Sequence, residues 1–245
     1  KVDRRTEYPK LPEGQRIYVV GDIHGRIDLL ARVHQAIDRD RSSATETTEI
    51  YLGDFVDRGP DSAGVIDRLL GRAEHVRSVF IRGNHEVMFE DFLEGHVEPD
   101  EWRPVGGMET LLSYGLDVRA LVRAPRERWA AAARALVPRE HRTFLAGLTD
   151  QYATGGYFFT HAGIRPGVPL DEQVPDDLQW IRDAFLGNAG DHGAGVVHGH
   201  TPMMEPEFLP NRINLDTGAY LTGRLSCLVI DSEGLRLLRT LPGEG

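Results

Sequence analysis

Three times in the first part of the chain a short apolar run ends in a polar loop, and an amphipathic segment follows. Ile17-Tyr18-Val19-Val20 leads into Gly21-Asp22-Ile23-His24-Gly25. Tyr51-Leu52 leads into Gly53-Asp54-Phe55-Val56-Asp57-Arg58-Gly59, and Val79-Phe80-Ile81 leads into Arg82-Gly83-Asn84-His85-Glu86. Apolar runs of this length, bounded by glycine, read as buried strands. Behind the first loop, Leu30, Val33 and Ile37 recur among Arg32, Asp38, Arg39 and Asp40, which predicts an amphipathic helix of about 15 residues. Val65, Ile66, Leu69 and Leu70 mark a second helix, and Met88, Phe89, Phe92 and Leu93 a third. Such alternation predicts a parallel sheet with right-handed crossovers, whose ligands gather at the carboxyl ends of its strands. All three polar loops fall at such ends.

Residues 1–14 are charged and carry Pro9, Pro12 and Gly14, the pattern of an extended leader. Ser42 to Thr48 reads as a polar loop. From Gly95 to Thr149 the pattern changes to short helical pieces, Arg126 to Val137 among them, and predicts a helical insertion. Arg119, Arg123, Arg126, Arg128, Arg134, Arg139 and Arg142 make it basic. They read as solvated helix faces, with a basic cap near an anionic substrate as the other reading. Strands return with Tyr152-Ala153-Thr154, a Gly155-Gly156 turn and Tyr157-Phe158-Phe159-Thr160, which predict a hairpin running into His161-Ala162-Gly163. Val196-Val197 before His198-Gly199-His200, Arg212 to Leu215, Leu225 to Ile230 and Leu235 to Leu238 complete the β pattern. The expected fold is α/β, with two sheets packed face to face and helices outside. No low-complexity linker divides the chain, so residues 15–245 are expected to form one domain carrying the insertion at about 95–149.

Composition narrows the function classes. The 245 residues hold 28 Lys plus Arg against 38 Asp plus Glu, a formal charge of −10, which argues against binding a nucleic-acid backbone. No apolar run reaches the length of about 18 residues that a membrane span needs. The charged start lacks the apolar segment of a secretory signal, so a cytoplasmic location is expected. The single cysteine, Cys227, lies in an apolar run and reads as a buried structural thiol.

Asp22, His24, Asp54, Asn84, His161 and His200 all stand at strand ends. Carboxylate, imidazole and amide oxygen without thiolate suit manganese, iron or zinc. Six such side chains exceed what one structural zinc takes, which points to more than one ion. A carboxylate has two oxygens and can bridge a pair.

Gly-Asp-Ile-His-Gly, Gly-Asp-Phe-Val-Asp-Arg-Gly, Arg-Gly-Asn-His-Glu, His-Ala-Gly and His-Gly-His-Thr, in this order, resemble the phosphoprotein phosphatases within the calcineurin-like metallophosphoesterases. Bacterial and phage-type serine/threonine phosphatases are the nearest pattern, and symmetrical dinucleoside-tetraphosphate hydrolases share much of it. The resemblance implies a four-layer αββα fold and two divalent metal ions, one on Asp22, His24 and Asp54, the other on Asp54, Asn84, His161 and His200. It implies direct attack of hydroxide on phosphorus, with no phosphoenzyme. His85 matches the general acid and Asp57 its support; Arg58 and Arg82 match phosphate-binding guanidiniums. Arg182 is the candidate third clamp, with Arg165 as competitor.

The implied substrate is a phosphoserine or phosphothreonine protein, phosphotyrosine being a further option. The alternatives are a dinucleoside tetraphosphate or small phosphoester, and a metal-binding scaffold without turnover. Asp57 leans toward the protein phosphatases. The pattern places the ligand at His200, so His198 is left out. Glu86 is expected to favour a helix N-terminus, and Asp216 to serve as a turn residue or a support. His34, His75, His96, His141 and His192 are expected at the surface.

Overall fold

The computed structural model of the chain describes residues 8–41, 46–123 and 125–238. Alternation along each strand assigns its two faces to different cores. In β1 (Gln15–Val20), Ile17 and Val19 face one side while Tyr18 and Val20 face the other. β2 (Glu46–Tyr51) and β3 (Ser78–Phe80) follow in parallel, with helices α1 (Ile27–Asp40) and α2 (Ser62–Ala73) as crossovers. The sequence pattern places α1 correctly. β2 begins within the stretch expected to be loop, because Glu46 to Thr48 pair in register with Gln15 to Ile17. Residues 42–45 of that expected loop lie outside the described residues.

β9 (Cys227–Asp231) joins β1 antiparallel and β10 (Gly234–Leu237) joins β9, giving the order β10-β9-β1-β2-β3. The second sheet contains β4 (Gln151–Thr154), β5 (Tyr157–Thr160), β6 (Gly195–His198), β7 (Glu207–Leu209) and β8 (Arg212–Asn214), in the order β4-β5-β6-β8-β7. β4 and β5 form the expected hairpin, with Gly155 and Gly156 at φ 61° and 83° in its turn. β7 is an addition to the expected strands.

The sheets face each other through Val19, Ile50, Leu228 and Ile230 against Tyr157, Phe159, Val197 and Ile213. Leu30, Val33, Val65 and Leu69 of the two crossover helices cover the first sheet's outer side. α9 (Pro175–Trp180) and α10 (Asp183–Leu186), with Leu178 and Phe185, cover the second sheet's outer face at Phe158 and Val196. The layers are therefore helix, sheet, sheet, helix, as the sequence leads one to expect. Before α9 the chain passes through His161 and Gly163; after it, α11 (Ala219–Thr222) precedes β9.

Between the sheets' sequences lie α3 (Asn84–Glu94), α4 (Pro99–Trp102), α5 (Gly107–Ser113), α6 (Val118–Arg123), α7 (Trp129–Leu136) and α8 (Arg139–Ala146). Trp102, Leu111, Trp129 and Leu145 join the same apolar cluster as α1 and α2. Of the leader, residues 1–7 lie outside the described residues. Its remainder is anchored: Leu11 is buried between the sheets, and Tyr8 Oη donates to the Leu209 carbonyl at 2.8 Å. No helix among the described residues is long and apolar enough to cross a membrane.

Two histidines expected at the surface are buried. His141 bridges Tyr114 and Asp67, at 2.9 and 2.8 Å. His34 sits under α2, where Arg68 Nε donates to its Nδ1 at 3.2 Å. Its Nε2 then donates to Tyr51 Oη, which donates to the buried Glu49 at 2.6 Å. Arg41 and Arg72 close the network on Glu49. A polar group removed from water needs such partners, and local hydrophobic spacing alone does not reveal them.

Burial pushes His34 down to about 4. Its folded pKa lies below the unfolded value of about 6.5, so unfolding takes up a proton between the two. Stability from this group is present above pH 6.5 and lost as pH falls toward 4, by up to about 3 kcal/mol. Urea unfolding at pH 7 and pH 4.5 should show wild type losing more stability than His34→Gln. Equal losses would reject the assignment.

Candidate metal centre

The three parallel strands of the first sheet and β5 and β6 of the second end on one side of the interface. Their following loops bring Asp22, His24, Asp54, Asn84, His161 and His200 together, each no more than 6% exposed. The ring or carboxylate donors of Asp54, His161 and His200 lie within 4.8 Å of one another, as do those of His24, Asp54 and His85. Asp54 belongs to both groups.

The hydrogen atoms are assigned by partners that can only accept. His161 Nδ1 is 2.8 Å from the Leu52 carbonyl and His24 Nδ1 is 2.9 Å from the Val56 carbonyl, so both Nδ1 atoms donate. That leaves the Nε2 lone pair of each ring turned inward. His161 Nε2 meets Asn84 Oδ1 at 3.0 Å and Asp54 Oδ1 at 3.3 Å, while His24 Nε2 meets Asp54 Oδ2 at 3.3 Å. Burial pushes the His161 pKa down, which keeps that ring neutral and its inward face an acceptor. At His161, acceptors face acceptors in a buried space, the donor set of a cation.

Asp22 adds a second sign. Its Oδ2 accepts from the His200 amide at 2.9 Å, while its buried Oδ1 has no partner. Burial, then the negative charges of Asp216 and Asp54, push its pKa well above the usual carboxylate range. A metal ion removes that penalty. The residues present fit a divalent-metal centre.

His85 occupies the edge of this cluster. Its Nδ1 lies 2.7 Å from Asp57 Oδ2, and its ring meets His24 edge-on with 4.7 Å between centroids. Burial lowers its pKa, but Asp54 and Asp57 outweigh that and the net direction is up. Two residues far away in sequence hold Asp57: Trp102 Nε1 donates to Oδ2 at 2.8 Å and Thr110 Oγ1 to Oδ1 at 2.6 Å. Neither residue was singled out from sequence. A tryptophan and a threonine in a helical stretch carry no local mark of such a role.

The calcineurin-like phosphoesterase family pattern matches residues 15–223. The chain belongs to that family. It is 27% identical over 237 residues to the asymmetrical bis(5'-nucleosyl)-tetraphosphatase of Anoxybacillus flavithermus, covering 86% of this chain and 88% of that protein. Among solved structures, one assigned as a candidate diadenosine tetraphosphatase shares the fold with a TM-score of 0.63. That alignment has 23% identity and covers 97% of this chain and 100% of the other. A cold-active protein tyrosine phosphatase aligns with a TM-score of 0.59 and 14% identity, covering 94% of this chain and 82% of that one. This calcineurin-like phosphoesterase is a metal-dependent phosphatase.

The arginines of the phosphoesterase separate into two sets. Arg58 donates to His24 Nε2 at 2.9 Å and lies over the Tyr220 ring, 4.8 Å from its centroid. Arg182 is exposed and its Nε donates to His200 Nε2 at 2.9 Å, whereas Arg165 is committed to Asp177. Arg82, expected beside them, is turned away: it pairs with Glu90 and donates to the Leu145 carbonyl at 2.9 Å. The physical reason is a half-buried carboxylate two helical turns along α3 that takes its charge.

His198 stays outside the ligand set, packed edge-on against Phe185 with Nδ1 3.0 Å from the Gly199 carbonyl. Asp216 accepts from the Gly218 amide at 2.8 Å, the turn role expected of it. Glu86 does more than favour a helix end. It accepts from the amides of Gly83, Asp54, Phe55 and Val56, at 3.0, 2.8, 2.7 and 3.2 Å.

A side chain at Gly199 would overlap Asp22 Oδ1. Gly199→Ala should therefore lose at least half of the metal measured by elemental analysis while keeping its circular dichroism spectrum. Full metal content in that variant would place Asp22 outside the centre.

Proposed function

We propose that the chain removes phosphate from phosphoserine or phosphothreonine, with His85 giving a proton to the departing oxygen. The observation that carries this reading is the buried His85–Asp57 pair. Asp57 accepts from Nδ1, so Nε2 is the nitrogen free to give a proton, and it stands 3.9 Å from Asp54 Oδ2 on the cluster side. An alkoxide is a strong base and departs poorly unless protonated, so a positioned acid contributes most with such a leaving group. A departing phosphate is a weaker base and needs the proton less. Trp102 and Thr110 fix Asp57, and Asp57 fixes the ring. The acid is positioned before substrate arrives.

Asp22, His24 and Asp54 would hold one divalent ion, and Asp54, Asn84, His161 and His200 the other. Manganese suits this oxygen and imidazole set, as iron or zinc would. When bound, a pair of ions supplies an activated water and positive charge for the phosphate oxygens. Arg58 and Arg182 flank the cluster, and their planar forks suit two phosphate oxygens each. Arg82 serves this role only by leaving Glu90.

A second reading is hydrolysis of a dinucleoside tetraphosphate. Similarity to a protein named for that activity, along most of both chains, favours it. Phosphorylated protein and small phosphoester are thus the two candidate partners, and a cytoplasmic location agrees with either.

The test compares kcat/KM for a phosphothreonine peptide and diadenosine tetraphosphate on manganese-loaded protein. Preference for the peptide supports the first reading, and preference for the dinucleotide supports the second. His85→Asn should cut peptide turnover by about 10²–10⁴-fold and aryl phosphate turnover much less. Equal losses on both leaving groups would reject His85 as the acid. Arg182→Ala should raise KM several-fold where Arg165→Ala does not.

A further inference from the structure

Away from the metal centre, α3 and the α7–α8 pair enclose a groove of about 490 Å³ lined by Glu90, Glu94, Arg134, Arg139 and Arg142. Its charges are unevenly matched. Glu94 is paired with Arg134 and Glu90 with Arg82. Arg139 and Arg142 have no ion-pair partner among the described residues. Of the other arginines in the helical segment, Arg103 and Arg126 share the single carboxylate of Asp100.

Arg142 makes the deficit specific. It is half-buried, and its Nε is closed to solvent without a hydrogen-bond partner. An N–H that has lost water and gained no acceptor is costly. An oxyanion with several acceptor atoms would satisfy it, and the fork geometry favours phosphate.

We infer that this groove is a second anion site, taking a phosphate-class oxyanion on Arg139 and Arg142. Its lining shares no residue with the metal ligands. It lies behind the Arg82 to His85 loop, touching it through Glu90 and through Leu145, whose carbonyl takes Arg82. Glu94 opposes the anion and is half exposed, so it limits affinity. The inference is independent of which substrate the metal centre hydrolyses.

The test is calorimetric titration of the full chain with inorganic pyrophosphate in the presence of chelator. Wild type should show a binding event that Arg139→Ala/Arg142→Ala weakens tenfold or more and that Arg58→Ala/Arg182→Ala retains. Glu94→Gln should tighten it several-fold, an effect that a purely structural role for the groove arginines does not produce. A groove variant that titrates like wild type overturns the site. If that variant fails to fold, unchanged affinity in Glu94→Gln overturns it instead. ATP titrated in parallel distinguishes the source: equal affinity assigns free phosphate groups, and tighter binding assigns the phosphates of a nucleotide.

Discussion

The centre depends on one buried carboxylate that touches no substrate. Glu86 collects four backbone amides, three from the loop after β2 and one from the loop after β3. Those loops carry Asp54 and Asn84-His85, so a single side chain fixes the spacing of these three residues. Charge-assisted bonds to amides are the strong kind, and four of them hold backbone that belongs to no strand. Those bonds need the ionised carboxylate, whose pKa burial and the Asp54 charge push up to about 8 while the amides pull the other way. A cation on Asp54 would relieve the repulsion, which couples metal occupancy to the rigidity of the loops.

The loops after β1, β2 and β6 store backbone strain. His24, Asp54, Asp57, Arg58 and His200 all have positive φ, between 47° and 70°. For non-glycine residues such conformations cost on the order of 1–3 kcal/mol each, and they persist only where surrounding contacts over-determine them. Here the contacts are visible. The amides of Ile23 and His24 both donate to the Asp54 carbonyl, and the His24 ring is tied to Val56. Gly25 and Gly59 let the first and second loops cross, since a side chain on either would strike the other's backbone. The strain turns successive side chains toward one point, which regular strand geometry cannot do.

How much of this was legible follows from the range of each interaction. Strand ends announce themselves locally, through an apolar run that stops at glycine and a polar residue, and so Asp22, Asp54, Asn84 and His161 could be read directly. Hydrogen bonds between distant segments have no such signature. Trp102 and Thr110 reach Asp57 across 45 and 53 positions, and Glu49 gathers Arg41, just past the end of α1, and Arg72 of α2. His34 looked polar in a helix and was expected outside; the partners that make its burial tolerable come from β2 and α2. Arg82 is turned aside for a related reason. Its motif specifies a guanidinium at that position, while its direction is set by Glu90 and by a carbonyl in α8.

The helical segment between the sheets then acquires a defined part in the chemistry. Asp57 is fully buried, and among the described residues the hydrogen bonds to its carboxylate, apart from that of His85, come from Trp102 of α4 and Thr110 of α5. Thr110 also accepts from the Asp57 amide and from Ser62 at the start of α2, so its hydroxyl joins the loop, the helix and the carboxylate. Removing the segment would strip Asp57 of two donors and expose an aspartate beside the clustered histidines and carboxylates. A free carboxylate there could swing toward the ions and compete with the imidazole. The helices are therefore part of what keeps the Asp57 carboxylate on His85 Nδ1.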